Sequence, residues 1–296
     1  MRKPILAGAL ALAVAATGLA VTTVVGTARP ATAALGDVPA DCQASATAYR
    51  SDGQRLRYRY VGGKTSTEAL PGDTLDWVPT ALAEAGDAGG DESFTSSSLI
   101  THPTDGYLYR VHRVGQRIDG EMRVTEVTTK RLASGFAGTR ILVSGPGLYY
   151  YRVVGKSLYR FTVNYANEPV VSTQVKMPGD AWDTVTTLKY RRTGGTAAAP
   201  VHVLVGTKTN GQLKEWRISE TTPVKITSSV LRDSGWAPFT SLNLGFCNSH
   251  PNGGALLGIT AVGRASVHFD ANAKDGKGTD IKGGSLGSLG WTEKTY

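Results

Sequence analysis

The feature that most restricts the fold of this 296-residue chain is internal repetition at about 50-residue spacing. Five blocks share the pattern turn, strand, turn, strand. The first is SDGQRLRYRYVGGK (Ser51–Lys64) and the second TDGYLYRVHRVGQR (Thr104–Arg117). The third is GPGLYYYRVVGKSLYRF (Gly145–Phe161), the fourth the looser stretch Thr193–Ile218, and the fifth Pro251–Phe269. Their leading turns fall at Asp52-Gly53, Asp105-Gly106, Pro146-Gly147, Gly194-Gly195 and Asn252-Gly253. Such dipeptides favour positive φ and so close tight hairpins. Between the blocks a second landmark recurs, a glycine followed closely by an aromatic: Trp77, Phe136, Trp182, Trp236 and Trp291.

The runs between these punctuation marks are short and rich in Val, Ile, Thr, Tyr and Leu, as strands require. One helix is expected, over Val78–Ser93, where Pro79 could open a first turn before TALAEA; this segment also reads as an insertion. A repeat of this length is too long for one coil of a β-helix and fits a four-stranded blade. A linear array would leave a bare edge at each end, whereas a ring hides both. The expected fold is therefore all-β, a five-bladed β-propeller. Its phase gives a closure: Trp291 has no hairpin block after it, and the block at Asp52 has no aromatic before it. The C-terminal WTEKTY should share a blade with the N-terminal strands over Asp41–Lys64.

The chain begins Met1-Arg2-Lys3, runs through a long apolar stretch and reaches Ala31-Thr32-Ala33. That order is a secretory signal with cleavage after Ala33; a retained N-terminal anchor is the alternative, since the stretch is long enough to span. The expected organisation is a signal peptide over 1–33 and one propeller domain over 34–296, secreted and free of the membrane after cleavage. Removing 1–33 takes away three basic residues and no acid, leaving +5 of the formal +8. No basic run is dense enough for nucleic acid, while mild positive charge permits attraction to anionic surface polymers. The two cysteines, Cys42 and Cys247, read as a disulfide in a secreted chain, stapling neighbouring blades at the seam; two unrelated buried thiols are the alternative.

The landmark Gly235-Trp236-Ala237-Pro238-Phe239, the turn and strand Asp105-Gly106-Tyr107-Leu108-Tyr109, and the ring of five repeats resemble the tachylectin family of five-bladed propeller lectins. The resemblance spans nearly all of residues 34–296, and unequal repeat lengths depart from it. It implies binding of N-acetylated amino sugars, such as N-acetylglucosamine-type glycans, in pockets between blades.

The candidate carbohydrate-binding residues are the landmark aromatics Trp77, Phe136, Trp182, Trp236 and Trp291, with Asp76, Asp180 and Asp233 beside them. An aromatic face accepts the C–H face of a pyranose, and a nearby carboxylate takes its hydroxyls; the same aromatics at the same place in every blade would equally pack between sheets. In the opening tyrosines of the third block, Tyr149, Tyr151 and Val153 share one face and Tyr150 and Arg152 the other, and both faces of a blade are covered. No His pair at metal-ligand spacing and no Gly-x-Ser-x-Gly occurs. Asp275–Asp280 and Gly86–Glu92 read as solvated turns, and Gly283–Gly290 as a flexible loop. The expectation is thus a lectin with no catalytic residue, metal or cofactor. A propeller glycoside hydrolase or lyase, and a protein-binding scaffold, are the alternatives.

Overall fold

The computed structural model describes residues 35–165 and 168–296, so the signal-peptide reading of 1–33 lies outside the described residues. Five antiparallel sheets form a five-bladed propeller with almost no helix. Blade II runs outward through Leu82–Gly89, Ser93–Thr101, Leu108–Ile118 and Glu121–Ala133. Blade III has Thr139–Ser144, Tyr149–Val154 and Ser157–Asn164, edged by the short Val170–Val171 and Val175–Lys176. Blade IV has Lys189–Thr196, Ala199–Thr207, Leu213–Ser219 and Ile226–Arg232. Blade V has Phe239–Leu244, Gly254–Thr260, Arg264–Asp270 and Lys282–Ser288.

Blade I is built from both ends of the described chain. Cys42–Tyr49, Arg55–Val61 and Lys64–Glu68 are its second to fourth strands. Its innermost edge comes from elsewhere: Lys294 and Thr295 pair with Tyr49 and Ala48, closing the ring as the repeat phase required. The Tyr296 hydroxyl then donates to the Pro79 carbonyl at the start of blade II. The other half of the same edge is Phe246–Cys247, which leaves blade V to pair with Gln43 and Cys42. That register sets Cys42 opposite Cys247, and the two form the disulfide. The crossing passes so close that a Cβ on Gly245 would sit 1.9 Å from the Gln43 carbonyl oxygen, so no larger residue fits there.

Three local readings are corrected. Val78–Ser93 is neither helix nor insertion: after the short linker 78–81, Leu82–Gly89 is the innermost strand of blade II, and the turn after Gly89 leads into the second strand. Its Ala and Glu content is helix-prone, but pairing along Ser93–Thr101 and burial of Leu82 and Ala83 override that preference. The glycine-rich 283–290 is the outermost strand of blade V through Ser288. The turns of the third to fifth blocks are also displaced by one hairpin. Gly53 and Gly106 join the second and third strands of their blades, whereas Pro146-Gly147 and Asn252-Gly253 lie between first and second strands and Gly194-Gly195 lie inside the first strand of blade IV, near its end. The true equivalents are Gly155, Gly211 and Gly263, all with positive φ like Gly53 and Gly106.

These five turns lock one blade to the next. The backbone N–H of Phe136 donates to Gly106 O (2.8 Å), and that of Trp236 to Gly211 O (3.0 Å). Two residues ahead of their aromatics, Leu75 donates to Gly53 O and Leu289 to Gly263 O. The approach explains the glycine: a Cβ on Gly53 would lie 1.6 Å from the Leu75 carbonyl oxygen. The apolar core is accordingly five separate seams, one between each pair of blades, and each seam holds one landmark aromatic.

Candidate functional site

The seams decide what the landmark aromatics can touch. Phe136, Trp182 and Trp236 are 1%, 4% and 4% exposed, so their faces are spent on packing. Phe136 meets Phe161 edge-on and carries the Arg152 guanidinium over its ring; Trp182 lies against Trp216, and Trp236 against Phe239 and His268. Trp77 and Trp291 keep part of their surface, Trp77 with His102 at 4.5 Å and Tyr109 at 5.5 Å between ring centroids. Asp76, Asp180 and Asp233 are exposed. The five aromatics sit in five different seams, and none of the eight residues lines the clefts between blades or on the ring axis.

A cleft of about 280 Å³ opens between blades II and III, at the small end of ligand-sized clefts of roughly 300–1,000 Å³. The third strand of blade II builds it by alternation. Tyr109 and Val111 turn into the seam with blade I, while Leu108 turns toward blade III. Arg110 and His112, in phase with Leu108, line the cleft. The neighbouring strand adds Thr95, Ser96 and Ser97, the innermost strand adds Asp87, and Tyr165 faces them from the end of the third strand of blade III.

These groups hold one another in place. Arg110 donates to Ser97 Oγ from Nε (3.3 Å) and Nη2 (3.0 Å), and its guanidinium lies 5.1 Å over the Tyr165 ring. Ser97 Oγ also meets His112 Nδ1 at 3.1 Å, and the Tyr165 hydroxyl meets that of Tyr150 at 3.1 Å. Burial pushes the Tyr165 phenol far above its ordinary range, so it stays neutral, a hydroxyl rather than a phenolate. Ser96, opposite Arg113 in the register, turns to the other face, toward blade I, so its unpartnered Oγ lies outside this group.

The seam between blades I and II is different in kind. Its apolar members are few, and an ionic network completes it. Arg113, fully buried, donates to Asp73 Oδ1 (2.6 Å), Ser98 Oγ (3.2 Å) and the Tyr49 hydroxyl. Arg55 bonds Glu84 Oε1 at 2.9 Å and reaches Asp73 at 3.5 Å. Glu84 opens onto the ring axis, also held by Thr47 and Ser98. Burial works to raise its pKa, but Arg55 and Arg113 outweigh it and leave the carboxyl below its usual range. A glycosidic acid needs the opposite shift. Glu84 and Asp87, the carboxylates of this cleft, lie on one strand. No group of three His, Cys, Asp or Glu side chains is placed to hold a metal ion among the described residues.

What the sequence missed here is specific. Arg110, His112 and Tyr165 carry no motif; the only signal was the alternation within Tyr107–Arg113, readable once the two faces of that strand are assigned.

A five-bladed propeller with a polar cleft at one seam is thus the class of protein the fold and geometry define. No family model matches the chain. No curated protein matches it. Among solved structures it is similar to AofleA from Arthrobotrys oligospora, at 13% identity, over 79% of this chain and 70% of that one, with a TM-score of 0.38. It is also similar to the periplasmic gluconolactonase PpgL of Pseudomonas aeruginosa, at 14% identity over 82% and 81% of the two chains, TM-score 0.34. Virginiamycin B lyase from Staphylococcus aureus follows at 13%, over 78% and 83%, TM-score 0.33.

Proposed function

We propose that the protein binds carbohydrate without turning it over, in the cleft between blades II and III. The observation that carries this reading is the convergence of Arg110, His112 and Ser97 beside the Tyr165 ring. A sugar presents hydroxyls, an acetamido group or both on one face and C–H bonds on the other, and needs that combination of fixed polar groups and an aromatic surface. N-acetylated amino sugars and cell-surface glycans are the proposed ligands. The cleft is made by residues peculiar to blades II and III, so we propose one principal site rather than five equivalent ones. A secreted protein is the proposed setting: the disulfide is consistent with an extracellular location, and no helix among the described residues is long and apolar enough to cross a membrane.

The test is a glycan array and a chitin pull-down, followed by calorimetric titration of any hit. The expected result is binding weakened at least tenfold by Arg110→Ala or Tyr165→Ala, with no reducing sugar released. A folded protein blank on both formats would end the lectin reading. Release of reducing sugar, abolished by Glu84→Gln, would replace it with a hydrolase.

A further inference from the structure

The ring axis carries a second, chemically distinct cavity that the carbohydrate reading does not use. All five blades contribute the first residues of their innermost strands to it, and it encloses about 80 Å³. That volume is several times the space one water needs and suits a group of a few heavy atoms. Three cations line it: Arg140 from blade III, Lys189 from blade IV and Lys294 from the C-terminal strand of blade I. No aspartate or glutamate side chain lines it.

The cations are not neutralised by ion pairs. Arg140 spends two of its five N–H donors on backbone carbonyls, Nη1 on Val185 O (3.1 Å) and Nη2 on Trp182 O (2.9 Å). Lys294 donates to the Thr80 carbonyl and lies 5.1 Å over the Tyr296 ring. Among the described residues the Lys189 ammonium has neither a hydrogen bond nor a salt bridge; Glu84, in the adjoining cleft, acts on it at longer range. Burial lowers the basicity of all three, with relief only from Glu84 at Lys189 and from Asp183 at Arg140. A hydroxyl is also left open: Ser241, 3% exposed, accepts from Asn243 Nδ2 at 2.9 Å, so its own O–H remains to donate. Three cations without ion-pair partners and a buried donor around a small cavity are the arrangement that an anion completes.

We propose that the axial mouth binds one compact oxyanion, of phosphate or sulfate size, either free or as the terminal substituent of a larger molecule. Arg140 and Lys294 supply the outer charge, Lys189 the inner charge, and the Ser241 hydroxyl a hydrogen bond. The site is some distance in function from the sugar cleft, since no residue lines both.

Isothermal titration at constant ionic strength and pH 7 would use sodium phosphate, sodium sulfate and a monoalkyl phosphate ester, with sodium chloride as control. The expected result is one saturable site for phosphate or its ester, absent for chloride. Tighter phosphate would identify the free ion, and a tighter ester the pendant group. Arg140→Gln and Lys294→Gln, on separate elements, should each weaken binding at least tenfold, whereas Arg264→Gln, an exposed arginine of blade V, should leave it unchanged. Both axial variants should keep the wild-type circular dichroism and glycan binding. Absence of saturable binding to the wild-type protein, or binding unchanged in both axial variants, overturns the proposal. A blank glycan array leaves it standing, and loss of the anion site leaves the sugar cleft standing.

Discussion

Replacing Arg113 with methionine tests the view that the seam between blades I and II is held by charge rather than by apolar packing. Methionine keeps most of the length and volume, so the change is mainly electrostatic. It removes the bonds to Asp73, Ser98 and the Tyr49 hydroxyl. Asp73 is 2% exposed, so its carboxylate would stay buried, with Arg55 at 3.5 Å as its remaining cation. Breaking one partner of a buried ion pair costs about 3–5 kcal/mol, and the surviving Arg55 argues for the lower end, about 3 kcal/mol. That is a loss of roughly 100-fold in the folded-to-unfolded ratio, since about 1.4 kcal/mol is a factor of ten. Urea denaturation followed by tryptophan fluorescence measures it, with the m-value checked for constancy. Adding Asp73→Asn should then cost far less than it does alone, a coupling of at least about 1 kcal/mol, because the orphaned charge is gone. If Arg113→Met lies within about 0.5 kcal/mol of wild type, or the two changes simply add, the network is not what holds this seam.

Two further outcomes follow from the other seams. His268 is packed against Trp236, and burial, aided by repulsion from Arg232, depresses its pKa to about 4. A histidine depressed below its unfolded value near 6.5 contributes stability that is complete above that pH and is lost as pH falls toward 4, by about 3 kcal/mol in all. His202, depressed by burial despite Glu220, acts in the same direction. Urea midpoints taken between pH 7 and 5, above the carboxylate range, should therefore fall with acid, and His268→Leu should make the fall shallower; an unchanged slope would remove His268 from the account. Cys42→Ala with Cys247→Ala opens a crosslink between residues 205 apart, for which chain entropy gives about 5 kcal/mol and practice about 2–5. The Lys294–Thr295 pairing still closes the ring, so calorimetry should find a folded protein melting about 10 °C lower, and a melting point within 2 °C of wild type would contradict the estimate.

The sequence by itself determined the ring. Five landmark aromatics fixed the number of blades, because each blade needs one to fill its seam, and the phase of the repeats fixed the closure, because a circle must end where it begins. The same phase brought Cys42 and Cys247 to the closing seam, and the structure joins them within the sheet of blade I. It also assigned the faces of Tyr149–Val154 correctly: Tyr151 and Val153 pack toward blade IV, Tyr150 toward blade II. Strand identity was less legible where local preference and tertiary pairing disagree, as in Ala83–Ala85, or where glycines invite a loop reading, as in 283–288. Turn dipeptides misled for a related reason. Asn252-Gly253 and Gly155-Lys156 both make turns, and only the contact with the aromatic leading to the next blade, here Lys156 O with the Trp182 N–H, tells which hairpin is which. The candidate sites were decided by tertiary structure alone. Arg110 and Tyr165 lie 55 residues apart on different blades, and Arg140, Lys189 and Lys294 on three; each is an ordinary residue on its own strand. Spacing along a strand says which face a side chain takes, but which other blade that face meets, and whether a landmark aromatic is consumed by the seam before any ligand arrives, depends on how closely the sheets pack.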